Sequence, residues 1–220
     1  MTRTTNARIA GATFLLYIVV GISTLLLSGG ASSTAAQLAY IAGHTTAMRF
    51  VIVLSMVTPF AALVLAVTLH ALTRDQDPDL ALLAMTCRIG EGVLNGVFLF
   101  STLGLLWLGT SGGASVPDAA STQALGGFLM KVEGWSPTIS ATFFAVGSML
   151  FSWLFLRGRM IPAPLAWLGV FASALLVVCL PLQLAGFVPG SVAMYLWLPM
   201  LLFEVPLGVW LLIKGVRPTP

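Results

Sequence analysis

The chain has 220 residues, 58% of them apolar, and carries only 10 basic and 7 acidic side chains, 8% of the total, against about 25% in an ordinary soluble domain. With a mean hydropathy of +1.01 and repeated apolar runs of about 20 residues, lipid rather than water solvates most of the surface. A secreted disulfide scaffold, a nucleic-acid-binding domain and a disordered tail are excluded, and the formal charge of +3 reflects basic residues at helix ends rather than a basic patch.

Arg3 and Arg8 precede the first apolar run, Ile9 to Leu27. It is longer than the apolar part of a signal peptide, and Phe14 and Tyr17 suit a permanent span, so it is read as retained rather than cleaved near Ala31. Ser33 to Gly43 follows as a short interfacial or re-entrant helix, with a serine at its N-cap and a glycine suited to a left-handed C-cap. The second span, Met48 to Leu72, contains Pro59, which bends it. The third runs from Leu80 to Thr110.

Ser121 to Gly134 repeats the pattern of a short outer helix. Ser136-Pro137 then supplies a cap and a first-turn proline for the fourth span, Pro137 to Leu156. Pro164 to Gly186 and Val192 to Ile213 complete the series. The fold class is therefore all-α: an integral membrane bundle of six transmembrane helices, a single membrane domain over residues 1–220, with short interfacial helices on the outer side. No internal repeat supports an inverted-repeat transporter.

The connections alternate in charge. Arg3 and Arg8, then Arg74, then Arg157 and Arg159, then Lys214 and Arg217 fall on one side, whereas the other carries only Arg49 and Lys131 near span ends. The excess of Lys and Arg on cytoplasmic loops predicts a cell inner (cytoplasmic) membrane protein with both termini in the cytoplasm.

An ionisable side chain at membrane depth costs about 2.5–3.5 kcal/mol even on a lenient scale, so each needs a partner, a wet cavity or a task. The third span carries Arg88, Glu91 and Asn95 at spacings of three and four, one helical face that Phe98 and Thr102 continue. The sixth carries Glu204 between Pro199 and Pro206. At about 1.5 Å per residue, Arg88 lies roughly 12 Å from the cytoplasmic end of its span and Glu204 roughly 13 Å from the end of its own, which predicts contact between them. Glu91 is one turn deeper. The triad leaves one carboxyl without a second cation, available as a proton donor; equally, Arg88 neutralises one carboxylate in a buried pair that fixes helix register.

Other polar residues point to less. His44 and His70 have no neighbours of ligand type, and Cys87 and Cys179 sit inside apolar runs as core residues, so no metal and no cofactor is expected. Arg49, Lys131 and Glu133 lie near the outer interface, where snorkelling or pairing is ordinary. No nucleophile elbow, phosphate loop or zinc-protease motif is present. Phe203 and Trp210 are deep aromatics that, with Asn95 and Phe98, are the candidate substrate-binding residues.

Arg8-Ile9-Ala10-Gly11, Ala81-Leu82-Leu83-Ala84 followed by Arg88, the stretch RMIPAPLAWLGV from Arg159 to Val170, Phe203-Glu204 and LLIKGV from Leu211 to Val216 are short pieces that together span nearly the whole chain. In these pieces the sequence resembles the uncharacterised bacterial multi-pass membrane family catalogued as domain of unknown function 4386. Gly126 to Thr142 departs from that family's pattern, with Lys131, Glu133 and Ser136-Pro137 where a histidine-containing helix is expected. The resemblance transfers no established activity.

The residues themselves suggest an intramembrane enzyme acting on an apolar, isoprenoid or lipid-like small molecule, with membrane lipid as its surroundings and no nucleic-acid partner. Glu91 and Glu204 are the candidate acids and Arg88 their counter-charge. A protonated carboxyl in an aromatic-lined, water-poor site can protonate an alkene or epoxide, chemistry resembling that of small integral-membrane terpene cyclases. The alternative is a non-enzymatic protein, such as a proton-coupled carrier, a small-molecule receptor or an accessory subunit, in which the same charges are structural.

Overall fold

The structure is a computed structural model and describes residues 2–111 and 118–217. Side-chain oxygens start four of its helices by accepting otherwise unpaired first-turn N–H groups. Thr2 Oγ1 accepts from the Thr5 N–H at 3.2 Å and opens α1 (Arg3–Leu27). Ser33 does the same for Ala36 at 3.3 Å and opens α2 (Thr34–Gly43), after which His44 alone separates it from α3 (Thr45–Thr73). Asp77 accepts from Leu80 at 3.2 Å, and Pro78 takes the first position of α4 (Pro78–Thr110), where its missing N–H is no loss.

Asp118 opens α5 (Ala119–Arg157) by accepting from the N–H and the hydroxyl of Ser121, each at 2.9 Å, and these bonds hold its carboxyl below the ordinary carboxylate range. α6 (Ala163–Leu184), α7 (Gly190–Leu196) and α8 (Leu198–Ile213) follow. Among the described residues there is no strand.

Five of these helices, α1, α3, α4, α5 and α6, are long and apolar enough to cross a membrane. Their outward faces carry large apolar side chains such as Leu26, Phe100 and Phe171, a surface that suits hydrocarbon and would aggregate in water. The chain is an all-α membrane helical bundle. The expected sixth span is shorter than the rest: α8 has 16 residues, about 24 Å of helix. Its break from α7 falls at Trp197, two residues before Pro199, whose missing N–H removes the bond that would run back to the Tyr195 carbonyl.

A second difference lies on the opposite side of the bundle. Ser33 to Gly43 does form a separate short helix, α2, but Ser121 to Gly134 does not, because it runs unbroken into the fourth span as the 39-residue α5. Pro137 is therefore an interior proline rather than a first-turn one, and Asp118 rather than Ser136 caps the helix. The Ser136 hydroxyl bonds to the Val132 carbonyl. Proline is tolerated inside membrane helices because neighbouring groups can satisfy the carbonyl it frees.

The helices pack in a closed ring, α1 to α3 to α4 to α5 to α6 to α8 and back to α1, and α2 seats on α4 and α5 at one end. At the other end, the Arg157–Asp77 ion pair (3.1 Å) joins α5 to the start of α4, and the Arg217 N–H donates to the Met160 carbonyl at 2.9 Å. Arg3 reaches the Leu72 carbonyl at 3.5 Å. Arg3, Arg74, Arg157, Arg159, Lys214 and Arg217 thus gather at one end of the bundle, as their alternation in the sequence predicts.

The ring closes where α1 meets α8, at a pair of glycines. A Cβ on Gly11 would lie 2.5 Å from both the Gly208 carbonyl oxygen and the Leu212 nitrogen, so only a hydrogen at this position lets the two backbones meet. Gly11→Ala is expected to force the seam apart and cost about 1–3 kcal/mol, the usual range for overpacking. Gly21→Ala, at a position with nothing within 4 Å of the added carbon, should leave the melting temperature in detergent unchanged or raise it slightly. Equal melting of the two variants would contradict this closure.

Candidate functional site

α4 projects Arg88 and Glu91 inward, three residues apart on one face, and both side chains are buried at 1% exposure. Hydrocarbon and packed protein around them make a charge without a partner costly, and the nearest opposite charge is the one on the same helix. Arg88 Nη1 stands 2.9 Å from Glu91 Oε2. Its N–H bonds are not aimed at that oxygen, so the contact is an ion pair without a well-formed hydrogen bond.

The other Glu91 oxygen is held from α1. Tyr17 donates its phenolic proton to Glu91 Oε1 at 2.6 Å, and Asn95 Nδ2 approaches the same phenol oxygen at 3.5 Å. Two aromatic rings flank the guanidinium: its carbon is 4.9 Å from the centroid of Phe144 on α5 and 5.9 Å from that of Tyr17. Such cation–π contacts are worth about 0.5–2 kcal/mol, most when desolvated. Glycine makes room for them. A Cβ on Gly147 of α5 would lie 3.1 Å from the Ala84 carbonyl oxygen and 3.2 Å from Arg88 Cγ.

Glu204 belongs to the buried face of α8, between Met200 and Gly208, and is 9% exposed. It lies within electrostatic reach of Arg88 and Glu91, yet among the described residues it has no hydrogen bond or ion pair. The contact expected between Arg88 and Glu204 from their equal depth is therefore not a direct one. Glu91, on the same helix as Arg88, takes the ion pair instead.

The candidate substrate-binding residues divide. Asn95 joins the network through Tyr17, and Phe203 lines a small cavity beside Arg88. Phe98 is half-buried on α4 and does not line that cavity; Trp210 sits at the basic end, with the Arg217 guanidinium 6.0 Å from its ring centroid. Among the described residues no three His, Cys, Asp or Glu side chains gather in metal-binding geometry, and Cys87 and Cys179 are free thiols. Tyr17, Phe144 and the serines of α5 are the members that the sequence reading missed as site residues. The signal for Tyr17 was a phenol deep in a span rather than at its end, where a buried hydroxyl has to find an acceptor.

Arg88→Met or Glu91→Gln alone should each destabilise by about 3–5 kcal/mol, and the pair together by less than the sum. Tyr17→Phe, which removes one hydrogen bond to a charged group, should cost about 1.5–3 kcal/mol. Arg88→Met combined with Glu204→Gln should couple more weakly than Arg88 with Glu91. Thermal denaturation of the single and double variants measures these terms, and additive effects at Arg88 and Glu91 would mean that the two side chains do not touch.

A family model described as domain of unknown function (DUF4386) matches residues 9–215. No curated protein and no solved structure matches the chain. The match takes in the ring of helices except residues 3–8 at the start of α1, and every residue of the buried charge cluster, and the chain belongs to the DUF4386 family.

Proposed function

We propose that this inner-membrane protein, with both termini cytoplasmic, carries an intramembrane acid site that acts on an apolar, isoprenoid or lipid-like molecule. The observation that carries this reading is the unequal treatment of two carboxyls. Glu91 has Tyr17 on one oxygen and Arg88 on the other, whereas Glu204 has no hydrogen bond or ion pair among the described residues. One guanidinium balances one carboxylate. Glu204 is then neutral only with a proton on it, and an unpaired buried charge is costly enough to favour that state. A proton held there is available to a weak base in a site that excludes water.

The roles follow from the geometry. Glu204 is the acid, Glu91 the fixed counter-charge, and Arg88 the cation that stabilises the Glu204 carboxylate left after proton transfer. In a proton-initiated cyclisation the Glu204 O–H bond breaks as a C–H bond forms on an alkene, or an O–H bond on an epoxide. The face of Phe203, which lines the cavity, stabilises the carbocation. Loss of a proton from the cyclised cation to Glu204 restores the acid, so the reaction balances as an isomerisation. The orientation rests on the basic end of the bundle, which the cytoplasmic excess of Lys and Arg assigns to the inside.

The size of the cavity beside Arg88, about 10 Å³ for the centre of a water molecule, favours a second reading, because no isoprenoid fits there unless helices separate. In that reading the protein is a proton-coupled carrier, a small-molecule receptor or an accessory subunit. Purified Glu204→Gln separates the two. The first reading expects it to melt like wild type and to convert farnesyl- or geranylgeranyl-bearing aromatic substrates about 100-fold more slowly or worse. Unchanged turnover would remove Glu204 as the acid, and a wild type inert towards these substrates would favour the second reading.

A further inference from the structure

The cavity beside Arg88 is enclosed by α1, α3, α4, α5 and α8, with aromatic walls that include Phe151 and Phe203. Three polar side chains line it: Arg88, Ser148 and Ser152. Arg88 Nε and Nη2 are fully enclosed and meet no acceptor among the described residues, and the Ser152 hydroxyl is likewise enclosed without a partner. Buried hydrogen-bonding atoms of this kind are normally paired, with protein or with ordered water, and an unmet donor on a charged group is the most costly sort. Gly169 of α6 keeps the place tight, since a Cβ there would lie 2.5 Å from both Ser152 Oγ and the Phe203 ring.

We propose that this cavity is a binding site for one water molecule, which accepts from Arg88, hydrogen-bonds to Ser152 and so ties α4 to α5. Size and polarity select the ligand. A buried water takes two to four polar partners, and the cavity offers three polar side chains and about 10 Å³ for the centre of one water to move in. A halide would bring a negative charge beside a guanidinium that Glu91 already neutralises. Ser152 is in this account a positioning residue: through the water it fixes the side of the Arg88 guanidinium that Glu91 leaves unpaired. The site does not rest on the acid reading of Glu204, because the water can be present whether or not Glu204 transfers a proton.

The test combines a structure of the full chain in lipid nanodiscs, at a resolution that shows ordered water, with melting of Ser152→Ala. The site predicts a density peak within hydrogen-bond distance of both the Arg88 guanidinium and Ser152 Oγ, and a lower or unchanged melting temperature for the variant. A dry cavity predicts the opposite sign, because Ser152→Ala then deletes an unsatisfied buried hydroxyl and raises the melting temperature. Absence of the peak, or a rise on Ser152→Ala, overturns the proposal. Crystals grown in bromide that show an anomalous peak at the same place would overturn it in favour of an anion. Loss of turnover in Glu204→Gln with the water peak retained would leave both readings standing, and loss of the peak alone would remove only this one.

Discussion

Arg88 stands roughly 15 Å along α4 from its start at the basic end of the bundle, and the outer surface of that bundle is built for hydrocarbon. A guanidinium at that depth has no bulk water to solvate it, and the surrounding residues supply substitutes one by one. Glu91 gives the opposite charge at 2.9 Å, Phe144 a ring face at 4.9 Å, and Gly147 the space for the side chain to pass between α4 and α5. Tyr17 then fixes Glu91 from across the ring at 2.6 Å. Helix contacts in lipid gain no hydrophobic driving force, so polar contacts and close glycine packing of this kind have to specify which helices are neighbours.

The ring closure and the charge cluster support each other. Because Gly11 and Gly208 let α1 and α8 meet at backbone distance, Tyr17 on α1 and Glu204 on α8 are both brought to the interior that α4 has filled with charge. α8 is also the shortest of the ring helices, restarted at Leu198 after a break and carrying Pro206 inside it. Glu204, without a partner among the described residues, therefore sits on the ring helix with the least continuous backbone support, while the paired Glu91 sits on the 33-residue α4.

Much of this was legible in the sequence. Apolar runs and alternating basic ends give the membrane bundle and the grouping of its basic residues, and the three- and four-residue spacings put Arg88, Glu91 and Asn95 on one face. Depth arithmetic placed Arg88 and Glu204 at one level, but level is a single coordinate: it carries no information about rotation, and the nearer carboxylate on the same helix won the ion pair. Ser136-Pro137 read as a helix start because those residues favour one, yet no proline lies between Ala119 and Ser136 and Gly126, Gly127 and Gly134 keep helical geometry, so α5 runs through. Tyr17 and the α5 serines escaped notice because their roles depend on which helix lies opposite, and helix order around a ring is set by packing between segments far apart in the chain.

The proposed acid site requires Glu204 to hold a proton while Glu91 stays ionised beside Arg88. Infrared difference spectroscopy of the protein in nanodiscs through a pH titration tests this directly, because a protonated carboxyl in an apolar site has a carbonyl stretch that a carboxylate lacks. The proposed acid site predicts such a band in wild type at neutral pH, lost in Glu204→Gln and weakened in Glu91→Gln, where the freed Arg88 favours an ionised Glu204. A band that survives Glu204→Gln, or wild type without one, would contradict it.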